Sequence, residues 1–172
     1  ATWPGNDDFL RTGVLSCYRP VPDASPIPQD QRRLSQRHWN QLLELAHTDK
    51  RRAFEVFTEF YLATSGQRYY TDTHQLNLYL EDYHGPLDRR LGACVRGSEM
   101  ITELYVPRER LAAFMEAVRA DFRAHQANLI YGTIRLIEAD TESALPWARS
   151  SWACVIFNLH IDHTPEDIER AG

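Results

Sequence analysis

The sequence has few cysteines, no long apolar run and no excess of positive charge, and each shortage excludes a class of protein. Its three cysteines, Cys17, Cys94 and Cys154, are odd in number and widely separated, which argues against a disulfide framework and against a CxxC metal site. No apolar run approaches the roughly 18 residues that span a bilayer, and the N-terminus has no signal-peptide pattern. A formal net charge of -5 disfavours binding to nucleic acid or to anionic membranes. We therefore expect a cytoplasmic protein with neither nucleic acid nor membrane as a partner.

Familiar catalytic motifs are also missing. The sequence contains no GxGxxG, no Walker-type loop, no GxSxG and no HExxH, which mark dinucleotide, phosphate, hydrolase and zinc protease sites. The chain has 172 residues, of which 43% are hydrophobic and 25% charged, and this predicts one globular domain over residues 1–172. Any chemistry must therefore be inferred from side chains that the fold brings together.

Two stretches near the end of the chain alternate between apolar and polar residues. In Leu129–Glu138 one face is apolar, and the other carries Tyr131, Thr133 and Arg135. In Trp152–Ile161 one face is apolar, and the other carries Cys154, Ile156, Asn158 and His160. Two such strands joined by a loop predict an antiparallel pair, with helices on the apolar side and the polar side chains sharing the opposite surface.

The rest of the chain supplies helices and one further strand. Apolar spacing predicts helices that begin at Ser35, after Asp49 and at Pro107, the last of them as far as His125. Strands are predicted over Met100–Val106 and over Gly13–Tyr18, and Gly85-Pro86 is expected to interrupt the chain. Thr164 followed by Pro165 predicts another helix start.

These elements indicate an α+β fold with an antiparallel sheet and helices packed on one face. The second half follows the order strand, helix, strand, strand, helix, which is the ferredoxin-like βαββα pattern. The final strand of that pattern is not present, the chain opens on Ala1, and the last helix is short. We therefore expect a fragment of a longer chain.

The polar surface of the sheet is the candidate site. Arg135 and His160 are the candidate catalytic residues: a guanidinium binds a carboxylate or hydroxyl group, and an imidazole transfers protons. Substrate-binding candidates are Tyr131, Thr133, Asn158 and His74. The alternatives are solvated residues on an exposed sheet face and, for His74 beside Asp72, a structural hydrogen bond.

The same region contains two further groups with possible chemistry. His160-Ile161-Asp162-His163 contains metal-ligand types, but we place Asp162 and His163 in a turn after the strand and predict no metal site. The apolar surroundings of Cys154 favour a buried, inert thiol over a nucleophile.

Three segments resemble the cap, or substrate-binding, domain of FAD-linked oxidoreductases of the vanillyl-alcohol oxidase and p-cresol methylhydroxylase type. They are GSEMITELYVPRERLAAFMEAVRADF, NLIYGTIRLIEADTESALPWAR and ACVIFNLHIDHTPEDIERA. The resemblance extends more loosely to FLRTGVLSCYRPVP and TSGQRYYTDTHQL, and so covers most of the chain.

This resemblance implies a flavoenzyme in two parts. An FAD-binding domain absent from this chain would hold the cofactor, and the cap sheet would cover the flavin ring with a small-molecule substrate between them. Related sugar-alcohol oxidases carry E-x-R on the corresponding strand, so Arg135 matches the arginine and Thr133 replaces the glutamate. Some caps of this type also place a basic residue or a histidine near the flavin, and Asn158 and His160 are the positions here that could do so.

The resulting hypothesis is the substrate-binding cap of an FAD-dependent oxidoreductase that oxidises a small hydroxylated substrate by hydride transfer. The fragment alone is expected to be inactive, and to self-associate through the face that the FAD-binding domain would cover. The alternative is a non-catalytic ligand-sensing or assembly module with the same ferredoxin-like pattern.

Overall fold

The computed structural model describes residues 4–70 and 83–171, with side chains as far as residue 169. It divides the chain into two compact units. The helical unit is Gly13–Ala93, and the sheet unit combines Ala1–Thr12 with Cys94–Gly172. None of the helices in the described part combines the length and the apolar character needed to cross a membrane.

The helical unit contains the two predicted helices, α1 (Gln36–Thr48) and α2 (Lys50–Ala63). Ser35 caps α1: its hydroxyl accepts from the His38 backbone N–H at 3.3 Å, and its own N–H donates to His38 Nδ1 at 3.2 Å. Asp49 caps α2 through its carboxylate, which accepts from the Arg52 N–H at 2.9 Å. The helix starts predicted at Ser35 and after Asp49 are confirmed.

Two predictions for this unit are wrong. Residues 13–18 form no strand, because the backbone there pairs with no other described segment and the prolines that follow cannot donate to a ladder. Residues 84–91 form a helix, α3 (His84–Leu91), despite Gly85 and Pro86. Both lie in the first turn of α3, where backbone N–H groups have no intrahelical acceptor, so a proline there removes no helical hydrogen bond. Gly92 ends α3 with φ 64°, a left-handed conformation that suits glycine. His74 lies outside the described residues.

The sheet unit consists of a three-stranded antiparallel sheet and its helices. The strands are β1 (Gly97–Pro107), β2 (Leu129–Ile137) and β3 (Trp152–Asp162), in the order β1-β3-β2. A single 3₁₀ turn, Arg108–Arg110, leads from β1 into α4 (Leu111–Ala124), and α5 (Pro165–Ala171) follows β3. The predicted α+β class with an antiparallel sheet is confirmed. The strand that comes last in sequence lies in the centre, as in the ferredoxin-like pattern.

One face of this sheet forms the core with α4. Phe9, Val106, Leu129, Val155 and Phe157 are its buried residues. The apolar face predicted for α4 packs against them, with Leu111, Phe114, Met115, Val118 and Phe122. The rings of Phe122 and Phe157 meet edge to face at 5.1 Å. The pairing of β2 with β3 is irregular between Leu129 and Tyr131. As a result Leu129 lies opposite Leu159 and packs in the core.

The N-terminal segment belongs to this core although it is distant in sequence. Phe9 is 0% exposed. Arg119 on α4 donates to the carbonyl oxygens of Phe9 and Asp7, each at 2.8 Å, and Arg123 donates to that of Pro4 at 2.7 Å. Two arginines of one helix therefore satisfy backbone carbonyls of a segment without regular structure, and hold Phe9 against the sheet.

The predicted helix start at Thr164 is confirmed. The Thr164 hydroxyl accepts from the Asp167 backbone N–H at 3.2 Å and donates to the Asp167 carboxylate at 2.8 Å. This cap turns the chain directly from β3 into α5.

Candidate functional site

The side of the sheet away from α4 carries most of the predicted site residues, and we call it the distal face. Residues paired directly across an antiparallel ladder share a face, so the register defines its members. They are Glu99, Ile101, Glu103 and Tyr105 of β1, Tyr131, Thr133 and Arg135 of β2, and Cys154, Ile156, Asn158 and His160 of β3.

The register brings four of the predicted residues into adjacent rows. Tyr131 lies opposite Asn158, Thr133 opposite Ile156 and Arg135 opposite Cys154. His160 is at one end of the same face, opposite Glu99 of β1. The prediction that these side chains share one surface is therefore confirmed, while their roles stay predictions.

Arg135 projects from an edge strand and is exposed. Within residues 4–70 and 83–171 its guanidinium takes part in no hydrogen bond or ion pair. It is nonetheless close enough to Cys154 to lower the pKa of that thiol. A planar set of donors without an acidic partner can bind a carboxylate.

Asn158 and Thr133 each hold a polar atom with no partner. Asn158 is 3% exposed, and neither its Oδ1 nor Thr133 Oγ1 has a hydrogen-bond partner among the described residues. A buried polar group without a partner costs about 1–3 kcal/mol, so such atoms are rare unless something outside the chain satisfies them. Asn158 lies between Ile101 and Tyr131 in register, and both flanking side chains are about half exposed or more. A rotamer change in either side chain would give a ligand access to Asn158.

A cluster of Glu103, Tyr105 and Cys154 adjoins this site. The Tyr105 hydroxyl donates to the Glu103 carboxylate, and this hydrogen bond is the main reason why the pKa of Tyr105 rises to about 12. Burial, and then the Glu103 carboxylate, raise the pKa of the Cys154 thiol. Cys154 is 2% exposed and stays protonated at neutral pH, in agreement with an inert thiol.

Glu103 and Tyr105 were missed in the sequence. Within Met100–Val106 apolar and polar residues do not alternate strictly, so no periodicity marks one side of this strand as a site. Only the pairing of β1 with β3 shows that both residues lie on the same face as Arg135.

His160 contacts two carboxylates. Its Nδ1 is 2.8 Å from Glu99 Oε1, and its Nε2 is 3.1 Å from Asp162 Oδ1. The hydrogen bond with Glu99 is the largest effect and raises the pKa of His160, against the lowering effect of burial. This arrangement keeps the imidazole protonated to higher pH, which suits an orienting cation better than a proton acceptor.

The structure corrects the predicted position of Asp162. Asp162 is the last residue of β3 and lies on the same face as His160, whereas the sequence placed it in a turn. Only His163 follows the strand, with its Nε2 2.8 Å from Ser98 Oγ. Gly97 lies opposite Asp162, and a Cβ there would come within 2.5 Å of the His160 ring. Glycine at residue 97 therefore makes room for the imidazole.

Exposed apolar side chains surround the polar groups. Ile101 is 63% exposed, and Tyr105 and Tyr131 are each 46% exposed. Trp147, from the connection between β2 and β3, contacts Tyr105 edge to face at 5.1 Å. Side chains of this type can pack against a planar ring system.

Comparison with known proteins does not assign the site. No protein-family model matches the chain, and neither a curated protein nor a solved structure shows significant similarity to it.

Proposed function

We propose that this chain is the substrate-binding cap of an FAD-dependent oxidoreductase that oxidises a small hydroxylated substrate by hydride transfer to the flavin. The observation that carries the proposal is the pair of buried polar atoms without partners, Asn158 Oδ1 and Thr133 Oγ1, on the face opposite the α4 core. A substrate hydroxyl group can both donate to the amide oxygen and accept from the threonine hydroxyl.

The composition of the distal face fits the substrate side of a flavin site. Ile101, Tyr105 and Tyr131 offer exposed apolar surface for a ring, and the polar groups lie between the edge strands. FAD, when bound, supplies the acceptor for the hydride. Its diphosphate would be held by an FAD-binding domain of the same full-length protein, which is the partner that this proposal requires.

The residues of this chain would bind and orient the substrate. Arg135 would hold an anionic or hydroxyl group, and Tyr131 would cover the substrate as the neighbour of Asn158. His160 would contribute a cation at the end of the face, positioned by Glu99 and Asp162. Arg135 and His160 remain the candidate catalytic residues, and Tyr131, Thr133 and Asn158 the substrate-binding ones.

The direct test is the absorption spectrum of the protein expressed from its complete gene. We expect a flavin spectrum that bleaches on anaerobic addition of a hydroxylated substrate. In that protein, Arg135→Ala should reduce kcat/KM severely and leave the flavin content near normal, while Arg110→Ala, in the exposed 3₁₀ turn, should change neither. A well-folded protein without flavin would overturn the proposal.

One observation favours the alternative, a ligand-sensing or assembly module. β1 is eleven residues long and pairs on one side only with another described strand, and Met100, Ile101 and Leu104 on it are exposed. Such an edge can accept a strand from another chain. Absence of flavin together with stable assembly through β1 would support this function instead.

A further inference from the structure

Opposite charges stand on either side of the central strand of the distal face. Glu103 of β1 lies opposite Ile156, and Arg135 of β2 lies opposite Cys154, so the two charged residues occupy neighbouring rows. Neighbouring strands are about 4.8 Å apart, which separates the two backbones by roughly 10 Å with β3 between them. Neither residue forms an ion pair in the part of the chain that the structure describes.

The register places both charged residues beside Cys154, and both influence its thiol. Burial has the largest effect on its pKa, Glu103 raises it further, and Arg135 lowers it. Glu103 on β1 and Arg135 on β2 therefore flank the strand that carries this sulfur. Cys154 and Ile156, which are 2% and 8% exposed, lie on β3 between the two charged residues.

Tyr105 fixes the carboxylate on the β1 side of Cys154. Its hydroxyl donates to Glu103 Oε1 and stays protonated at neutral pH, since its pKa is raised to about 12. A carboxylate has about four lone-pair sites, and Glu103 is exposed, so it can accept further hydrogen bonds. The β2 side offers the opposite chemistry, the donors of Arg135.

We propose that Glu103 and Arg135 are the two poles of one ligand site above Cys154, and that the ligand is a small hydroxy carboxylate. Its carboxylate binds the Arg135 guanidinium. Its hydroxyl donates its one proton to Glu103 rather than to Asn158 Oδ1, and accepts from the hydroxyl of Thr133, which lies in the same row as Glu103. The inference rests on the proposed function, because it names the substrate class of the same face. It also makes Glu103 a substrate-binding residue.

The charges decide between this ligand and a neutral polyol. A polyol would leave the guanidinium without a counter-charge inside the complex, whereas a carboxylate neutralises it and takes two parallel hydrogen bonds. The carbon chain of the ligand would lie over Ile156 and Cys154, which supply an apolar floor.

Four ligands of one carbon skeleton test the assignment by calorimetry with the 172-residue chain: 3-hydroxybutyrate, butyrate, butane-1,3-diol and 3-aminobutyrate. We expect 3-hydroxybutyrate to bind most tightly. Removing either the hydroxyl or the carboxylate should weaken binding by about tenfold to a hundredfold, as for hydrogen bonds to charged groups. If 3-aminobutyrate bound more tightly than 3-hydroxybutyrate, the ligand would be an amino acid and the proposal would be overturned. Failure of 3-hydroxybutyrate to bind would also overturn it.

Two variants test the two poles, Glu103 and Arg135, one at a time. Glu103→Gln should remove the difference between 3-hydroxybutyrate and butyrate and keep the preference for a carboxylate. Arg135→Gln should remove the difference between 3-hydroxybutyrate and butane-1,3-diol and keep the preference for a hydroxyl. Glu109→Gln and Arg110→Gln, both in the exposed 3₁₀ turn, are the matched controls and should change neither difference. Equal effects of a variant and its control would overturn the assignment of that pole.

The two proposals fail in different ways. If the complete protein contains a flavin that butane-1,3-diol bleaches and 3-hydroxybutyrate does not, the oxidoreductase proposal is supported. The assignment of a hydroxy carboxylate as the ligand is then overturned. If the complete protein contains no flavin but binds 3-hydroxybutyrate through Glu103 and Arg135, the proposed ligand site is supported and the oxidoreductase proposal is overturned.

Discussion

Two threonines of the same sheet differ in what their hydroxyl groups contact. Thr133 Oγ1 is buried without a partner among the described residues, whereas Thr102 Oγ1 donates to the carbonyl oxygen of Phe157 at 3.4 Å. Valine has nearly the same shape as threonine and no hydroxyl. We expect Thr133→Val to raise the free energy of unfolding by about 1 kcal/mol, and Thr102→Val to lower it by a similar amount.

Urea unfolding of both variants checks this contrast. A stability gain at Thr133 that is accompanied by weaker binding of 3-hydroxybutyrate would show that the threonine is kept for ligand rather than for fold. A loss of stability at Thr133 as large as that at Thr102 would mean that its hydroxyl has a partner in the free protein.

The His160 imidazole makes part of the stability depend on pH. Its pKa is raised in the folded chain, mainly by the hydrogen bond with Glu99, above the unfolded value of about 6.5. The stability it contributes is therefore fully present below about pH 6.5 and is lost as the pH rises through the folded pKa. One titrating proton can change the free energy of unfolding by at most about 1.4 kcal/mol per pH unit.

Unfolding measured at several pH values, from roughly 6 to 9, should show this loss in the native protein and not in His160→Gln. His125→Gln is the control, because His125 is exposed at the end of α4 and contacts Asp121 on the same helix. An identical pH dependence in the native protein and in His160→Gln would contradict the role given to the Glu99 contact.

At the scale of elements, the N-terminal segment is part of the sheet unit. Phe9 is 0% exposed and packs in the core with Val155 and Phe157. We expect Phe9→Ala to destabilise the protein by about 3–5 kcal/mol, the usual cost of removing a buried phenyl ring. Leu15→Ala, at a residue that is 83% exposed, should change stability by less than about 0.5 kcal/mol. A loss below about 1 kcal/mol for Phe9→Ala in urea unfolding would place the segment outside the core.

The same segment shows where reasoning from sequence ends. Apart from Leu129, which the irregularity in β2 brings into the core, alternation correctly assigned the faces of β2 and β3. A period of two is a local property that one strand displays by itself. Helical spacing likewise predicted an apolar face on the helix that became α4, and this face packs on the sheet. Phe9 could not be assigned in this way, because its own segment has no periodic pattern and Arg119, which donates to its carbonyl oxygen, is 110 residues away.

The candidate site divides along the same line. Tyr131, Thr133, Arg135, Asn158 and His160 were found because each is the polar residue of an alternating strand. Glu103 and the contact between His160 and Asp162 depend on pairing between strands and on the exact end of β3, which no single segment encodes.

At the scale of the whole molecule, the sheet has two chemically different faces. The one toward α4 is apolar and closely packed, while the distal face mixes charged, polar and exposed aromatic residues. A sheet that existed only to complete a fold would have no need of buried polar atoms without partners on its second face. The distal face is therefore the part of the sheet unit best suited to bind a ligand or another protein surface.

The exposed apolar side chains of the distal face lead to a prediction about assembly. Ile101 is 63% exposed, and Trp147, Tyr105 and Tyr131 lie near it or on the same face with 59%, 46% and 46% exposure. Exposed apolar surface of this kind tends to be covered by association. We expect the 172-residue chain to self-associate with rising concentration in sedimentation velocity. Ile101→Lys should shift the association to higher concentration, since burying a lysine in the contact is unfavourable.

Leu62→Lys is the matched control for this experiment. Leu62 is 65% exposed on α2 in the helical unit, so the variant changes the same kind of residue and the same charge outside the sheet. If both variants shifted the association equally, the change in net charge would explain the effect and the distal face would not be the contact. If Ile101→Lys alone shifted it, and 3-hydroxybutyrate also dissociated the assemblies, the contact and the proposed ligand site would occupy the same surface.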